Sequence, residues 1–389
     1  MGNVNITAMD FTLSAEHEEF RSQLRRFFEA EAPINKVAEW DRGEFFPTDV
    51  YAKMADLGLC GLGFGEDYGG SGADEISICI AVEEVARASA TLAYAWVPTA
   101  TFCARGVARY GSEDLRRTLL PEVAAGRLRF AMGLSEPDAG SDLAGLSTRA
   151  VRHGDTFVVD GQKVFTTGAD SADYIFTFVR TDPKSKGARG LSVLLIPRGA
   201  PGVTVRKLTK LAGQGTHTCE VFFEGVEVGA DQLVGTLHKG VEIVFGLLDA
   251  ERIYVGAQGC GVGQGALDMA VRYARARVQF GQPIIEFQAV GHMLADMAID
   301  VEMARLLVWR AALRLEEGTH SPLDASMAKI AGSEAGTRCA ARGMQVLGGY
   351  SYMVEYGMER YWRETKLYEI AGGTNQIQRN IIMKHMASG

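Results

Sequence analysis

The sequence predicts an α+β multidomain fold: an N-terminal helical domain, a small β-barrel or sandwich domain in the middle, and a C-terminal four-helix bundle. Three observations predict it. Apolar residues recur at helical spacing from Ser14 to about Gly126. Short β-branched and aromatic runs, cut by Gly, Pro and Asp, fill about Leu128 to Gly235. Long helical patterns return from Val241. These patterns set domains at 1–127, 128–235 and 236–389. Helix, sheet and helix in blocks is not the alternating order of a doubly wound dinucleotide fold.

The elements follow in order. Ser14 is placed to cap a first helix, with Glu16, Glu18 and Glu19 at its positive end. Phe20, Leu24, Phe27 and Phe28 form one apolar stripe, and Pro33 stops it. A second helix is expected from Pro47 to Leu57, ended by Gly58. Helical patterns recur over Asp74–Arg87 and Thr99–Tyr110. In the middle stretch, Phe157–Val159, Asp160-Gly161 and Val164–Thr167 read as a hairpin, with Asp-Gly supplying the tight turn. Further strands are expected at Tyr174–Arg180, Leu191–Pro197, Val203–Leu208 and Thr218–Val228. The last stretch carries helices over 241–276, 284–317 and 322–347, and one after Gly373.

Composition narrows the function classes. The chain has 389 residues, and 47% hydrophobic with 23% charged residues is ordinary globular usage, which excludes wholesale disorder. Lys+Arg 40 against Asp+Glu 48 leaves a net charge of −8, which argues against a nucleic-acid binder. The opening MGNVNITAMD has no basic or apolar run, so no targeting signal is read there. Ala88–Ala104 is too short and too broken to span a membrane. The six cysteines lie far apart without C-x-x-C, which suits a reducing, cytoplasmic setting and no metal site. No H-E-x-x-H or G-x-S-x-G string anchors a zincin or hydrolase. Gly261-Val-Gly263-Gln-Gly265-Ala266 imitates a dinucleotide motif, but helical sequence flanks it on both sides. Close helix packing is its better explanation.

The strongest string is Gly133-Leu134-Ser135-Glu136-Pro137-Asp138-Ala139-Gly140-Ser141-Asp142. Its small residues and free backbone N–H groups suit a flat ring or a phosphate. Three later strings accompany it: Gln345-Val-Leu-Gly348-Gly349; Glu355-Tyr-Gly-Met-Glu359-Arg360; and Lys366-Leu-Tyr-Glu-Ile-Ala-Gly372-Gly373-Thr374-Asn375-Gln376. Together they resemble the acyl-CoA dehydrogenase family over essentially the whole chain, most closely its isovaleryl-CoA dehydrogenase type.

The resemblance implies an FAD enzyme that takes a proton α to an acyl thioester and passes a hydride from Cβ to flavin N5. It implies that Leu134, Ser135, Gly140 and Ser141 line the flavin and the pantetheine channel. Phe165-Thr166-Thr167 corresponds to the aromatic-x-Thr element beside the flavin ring. Arg277, Phe280 and Gln288 match the element that reaches the FAD of a neighbouring subunit. Gln345, Gly348, Gly349, Thr374, Asn375 and Gln376 match positions at the adenosine and diphosphate. A homotetramer and an electron-transfer flavoprotein as electron acceptor are implied in the same way.

The proton acceptor needs separate attention. In many relatives a Glu directly precedes the late Gly-Thr, where this chain has Gly372. The isovaleryl type carries its Glu earlier, in Leu-Asp-x-Glu-Arg, and this chain has Leu248-Asp249-Ala250-Glu251-Arg252. Glu251 is therefore the expected base. Asp249, Arg252, Ser141, Gly372 and Gly373 are the expected substrate contacts, with the Gly372 N–H polarising the thioester carbonyl. Tyr94 and Trp96 stand where bulky rings shorten an acyl pocket, although core packing explains them equally well. Other expectations on the same frame are an acyl-CoA reductase, a dehydrogenase of carrier-protein thioesters and, more remotely, a DNA-binding flavoprotein.

Overall fold

The computed structural model describes residues 12–185 and 187–388. The leading segment read for targeting signals lies outside the described residues. Seven helices come first: α1 (Ala15–Glu31), α2 (Ile34–Gly43), α3 (Thr48–Asp56), α4 (Glu75–Ala88), α5 (Ala90–Val97), α6 (Ala104–Tyr110) and α7 (Glu113–Ala124). Ser14 caps α1 as expected, its side chain accepting from the His17 N–H at 3.1 Å. Pro33 ends α1 but also occupies the cap position of α2, so the chain turns there and resumes as helix. The expected helix from Thr99 is a six-residue π segment, Pro98–Cys103, joining α5 to α6. Pro98 has no N–H to give a regular ladder, and the wider turn absorbs it.

The middle sheet holds β1 (Phe130–Gly133), β2 (Arg149–His153), β3 (Thr156–Thr167), β4 (Tyr174–Arg180), β5 (Leu191–Pro197), β6 (Val203–Leu208), β7 (Thr218–Gly229) and β8 (Leu233–Val234). Its strand order is β6-β7-β3-β2-β4-β5-β8, with β1 beside β4. One expectation fails here. Asp160-Gly161 is not a hairpin turn but lies inside the continuous strand β3. Gly161 does take a positive φ, of 144°, yet it sits at a register shift against β7. A Cβ there would fall 2.7 Å from the Thr148 backbone, so glycine is required for a bulge rather than for a turn. The hairpin itself joins β2 to β3 around Gly154, at φ 61°.

The C-terminal part contains α8 (Gly240–Ala276), a two-stranded ribbon β9 (Val278–Gln279) and β10 (Gln282–Pro283), then α9 (Gln288–Glu316), α10 (Pro322–Leu347), α11 (Met358–Ile370) and α12 (Asn375–Ser388). The bundle has one helix, α11, that the four-segment reading omitted. Glycines weld α8 to its neighbours. A Cβ on Gly259 would lie 2.3 Å from the Gly332 carbonyl of α10, and one on Gly261 would lie 2.2 Å from the Glu83 carbonyl of α4. The imitation dinucleotide string is thus a helix-packing surface.

Buried salt links complete the frame. Arg305 of α9 reaches Glu83 of α4 at 2.7 Å, and Arg105 of α6 reaches Glu75 of α4 at 2.5 Å. All six cysteines are buried and unpaired. Among the described residues no helix is long and apolar enough to cross a membrane, and no acidic, His or Cys cluster suits a metal.

Candidate active site

Glu251 stands on α8 in the turn after Leu247 and Leu248. Those two leucines belong to the same apolar cluster as Phe102, Cys103 and Phe130, with Leu134 packed against it. The cluster fixes the glutamate beside the loop that follows β1. Glu251 is only partly exposed and forms no hydrogen bond or ion pair with any described residue. Burial pushes its carboxyl up to about 7, against the opposing pull of Arg252 and Lys329. Arg252, its chain neighbour, is directed elsewhere: its Nη1 donates to Asp249 Oδ1 at 2.8 Å. His320, from the loop before α10, stands 3.9 Å from the other oxygen of Asp249.

Gly372 faces the same stretch of α8. A Cβ on it would sit 3.5 Å from Val255 Cγ2, one helical turn beyond Glu251. Gly372 and Gly373 take φ of 66° and 86°, a left-handed pair that few other residues tolerate. Gln378 holds this turn, its Nε2 donating to the carbonyls of Gly372 at 3.2 Å and Gly373 at 2.9 Å. Thr374 caps α12 by accepting from the Ile377 N–H at 3.2 Å. Gln376 is exposed, but Asn375 is buried and spends its amide on Lys329, Ser333 and Glu334. Its side chain is thus an internal anchor at the start of α12.

The loop after β1 carries Leu134, Ser135, Gly140 and Ser141, the last two exposed. A buried ion pair that the sequence reading missed holds this loop to β3. Lys163 Nζ donates to Glu136 Oε1 at 2.7 Å and to the Leu134 carbonyl at 3.1 Å. Glu136 also accepts from the Ser147 N–H and hydroxyl, both at 2.7 Å, and from the Thr148 N–H at 2.9 Å. These donors outweigh its burial and hold Glu136 down at about 2, while burial lowers Lys163 to about 8. Both groups are charged at neutral pH. A lysine amid the apolar residues of β3 was the available signal.

Two residues past Lys163, Phe165 takes φ 57° and is 68% exposed. An aromatic side chain in the left-handed region, presented to solvent, is a strained arrangement. Thr166, next to it, is fully buried with a hydroxyl that finds no partner. Thr167 shares a 3.2 Å hydrogen bond with Thr218.

The remaining expected cofactor residues lie elsewhere. Arg277 ends α8, 26 residues beyond Glu251. That is about 39 Å along the helix at about 1.5 Å per residue. There Arg277 lines an open groove of about 430 Å³ with Gln279, Gly348, Gly349 and Tyr350, and its guanidinium lies 5.6 Å from the Tyr350 ring centre. Gln345 and Gln288 are exposed at this end. Phe280, at the tip of the β9–β10 ribbon, is 96% exposed. Within one chain the Arg277 groove therefore stands far along α8 from Glu251 and the Gly372 turn.

Of the two rings near the expected acyl pocket, Trp96 is core. It is fully buried and donates its indole N–H to the Leu59 carbonyl at 3.1 Å. Tyr94 meets Tyr368 of α11 edge-on, with ring centres 6.4 Å apart.

Three family descriptions cover the chain in this order: acyl-CoA dehydrogenase N-terminal domain over 14–127, middle domain over 131–226 and C-terminal domain over 238–387. The glutaryl-CoA dehydrogenase of Desulfococcus multivorans is 36% identical, over 96% of this chain and 97% of its own. The acryloyl-CoA reductase (NADH) of Anaerotignum propionicum is also 36% identical, over 97% of this chain and 96% of its own. The butyryl-CoA dehydrogenase structure from Megasphaera elsdenii superposes with a TM-score of 0.92 at 35% identity, over 97% of this chain and 100% of that one. Helix–sheet–helix order with an isolated acid facing a glycine turn defines the class, a flavin-dependent oxidoreductase of acyl thioesters. The chain belongs to the acyl-CoA dehydrogenase family, and its cofactor is FAD.

The residues present fit that cofactor. Phe165 offers an exposed ring on a strained backbone, and Thr167, two residues on and so on the same strand face, offers a half-buried hydroxyl. The Arg277 groove supplies a cation and two glycines for a phosphate at its far end.

Proposed function

We propose that the protein oxidises a short or branched acyl-CoA, isovaleryl-like, to its α,β-unsaturated thioester, with Glu251 as the base. The observation that carries this reading is the isolated Glu251 carboxyl, raised to about 7 and facing the Gly372 turn. A base of that strength is half ionised near neutral pH, where proton abstraction is most effective. It takes the α proton while the Gly372 N–H stabilises the enolate-like charge on the thioester oxygen. The Asp249–Arg252 pair keeps the arginine from neutralising the base. Bound FAD supplies the hydride acceptor.

Tyr94 against Tyr368, two buried rings in contact, the second four residues before Gly372, is in keeping with a short acyl group. The distance between Glu251 and Arg277 supports a site shared by two copies of the chain, within a homotetramer. Phe280 supports it too, since an aromatic ring exposed at a ribbon tip seeks a partner surface. An electron-transfer flavoprotein is the electron acceptor in this reading.

Glu251→Gln tests the base. The variant keeps its bound FAD and loses at least a thousandfold in reduction by isovaleryl-CoA, whereas a Gln variant with wild-type turnover overturns the assignment. Butyryl-CoA and a carrier-bound thioester, assayed beside it, test the substrate.

A further inference from the structure

Lys329 is fully buried on α10, on a face of small residues that includes Ala325, Ser326, Gly332 and Ser333. A buried ammonium is costly unless it has work or a counter-ion. Among the described residues Lys329 has no ion pair, and its hydrogen bond runs from Nζ to Asn375 Oδ1 at 2.7 Å. Nothing in the reaction above uses it.

Its position suggests what it does. α8 and α10 run in the same direction: Gly256 lies against Ala328, Gly259 against Gly332 and Gly263 against Gly336. Side chains on a helix lean toward its N-terminus. Lys329, one residue past Ala328, thus reaches back from the level of Gly256 toward the turn that carries Glu251. Its other side faces α12. Ser326 donates to Gln378 Oε1 at 2.8 Å, and the amide of that same Gln378 holds the carbonyls of Gly372 and Gly373. Ser326 and Lys329 therefore pin the glycine turn from one face of α10.

We propose that Lys329 is a positioning residue of the reaction, whose ammonium anchors the Gly372–Gly373 turn through Asn375 and favours the ionised form of Glu251. This rests on the reading of Glu251 as the base. The charged and titratable groups that act on Glu251 are Arg252 on α8, Lys329 on α10 and Cys103 on the π segment, while Asp249 is engaged by Arg252 and approached by His320. Arg252 is taken by Asp249, and Cys103 is a thiol pushed well above its usual range by burial and by Glu251. Lys329 is the facing cation without a carboxylate of its own. Burial lowers Lys329 itself to about 8, with Arg252 acting the same way, while Glu369, Glu251 and Glu334 favour its charge, so it remains mostly an ammonium at neutral pH.

The test is Lys329→Gln in the full-length FAD-loaded protein, since Gln keeps a donor for Asn375 but carries no charge. Two readouts apply: the acidic limb of kcat against pH, and the infrared titration of the Glu251 carboxyl, isolated by subtracting the Glu251→Gln spectrum. The expected result is a midpoint moved about one pH unit alkaline, with about a tenfold loss of kcat one unit below the wild-type midpoint. FAD content stays near wild type, and Lys329→Arg restores the midpoint. An unmoved midpoint, with any loss confined to melting temperature, overturns the proposal. If Lys329→Gln does not fold, Asn375→Asp serves instead: it gives Lys329 a counter-ion and moves the midpoint the same way. An active Glu251→Gln removes the underlying base assignment, whereas an inactive one beside an unmoved midpoint removes the Lys329 role alone.

Discussion

Arg252 donates to Asp249 at 2.8 Å and not to Glu251, its neighbour in sequence. Residues three apart share a helix face, whereas adjacent residues point about 100° apart, so the partner is chosen by helical geometry. The consequence is an acid left without a counter-ion on its own helix.

This arrangement predicts a pH dependence. Glu251 works as a base only when ionised, and its carboxyl sits at about 7. Turnover therefore rises with pH through that value and levels above it. Asp249→Asn leaves the charge of Arg252 uncompensated beside Glu251, which stabilises the ionised form through space and moves the rising limb to lower pH by about one unit. A kcat profile from pH 5 to 9 reads both effects, and a limb that moves alkaline in Asp249→Asn contradicts the pairing argument.

The Glu136–Lys163 pair predicts an acid-sensitive stability. Glu136 is held at about 2, below an unfolded value of about 4.3. The folded state therefore binds the proton less readily than the unfolded state. The stabilisation is fully present above about pH 4.3 and is lost as pH falls toward 2. Glu136→Gln leaves Lys163 buried without its carboxylate and costs about 3 kcal/mol at neutral pH, measured by urea unfolding at pH 7. Its loop then loosens, and FAD affinity falls with it.

Thr166 predicts opposite effects with and without cofactor. Its buried hydroxyl lacks a partner in the chain alone. Thr166→Val, nearly the same shape, removes an unsatisfied group and stabilises the FAD-free protein by about 1 kcal/mol. If the cofactor satisfies that hydroxyl, the same change narrows the gap between the melting temperatures of the FAD-free and FAD-loaded protein. An equal shift in both forms argues that the hydroxyl has no role at the flavin.

Gly372 predicts a modest structural cost with a larger catalytic one. An alanine at its φ of 66° costs about 1 kcal/mol, and its Cβ makes ordinary contact with Val255. If the Gly372 N–H polarises the thioester as proposed, it shifts as the turn relaxes and kcat falls about a hundredfold. Single-turnover bleaching of the flavin measures it, and a variant with wild-type kcat shows that this N–H does not act on the carbonyl.

The separation of Glu251 from Arg277 predicts complementation between subunits. Glu251→Gln is inactive by itself, and Arg277→Ala holds FAD weakly by itself. Mixed and reassembled, the two variants form some sites with both residues intact, and activity returns to about a quarter of wild type by random pairing. A mixture no more active than its parents assigns both residues to one chain's site.

Local chemistry was legible in advance. Helix periodicity, the Ser14 cap and the β-branched runs report on neighbours within a few residues, and those elements stand where they were expected. So does the reading of Gly261 and Gly263 as packing glycines, because a helical string cannot open a strand–helix turn. Asp160-Gly161 misled because the same dipeptide serves a turn or a bulge, and only the register against β7 and the backbone of Thr148 separate the two.

The order of elements, the family resemblance and the joint occurrence of Glu251 and Gly372 are all carried by the residues as written. Long-range contacts turn Asn375 inward, place Trp96 in the core and let Glu136 and Lys163 lock the loop after β1 to β3. The tertiary structure alone decided that Arg277 stands a helix-length from Glu251. The physical reason is range. Periodicity and capping act over one or two turns, whereas burial, ion pairing and a shifted proton affinity depend on groups brought together from distant elements, as Glu251 is with Lys329.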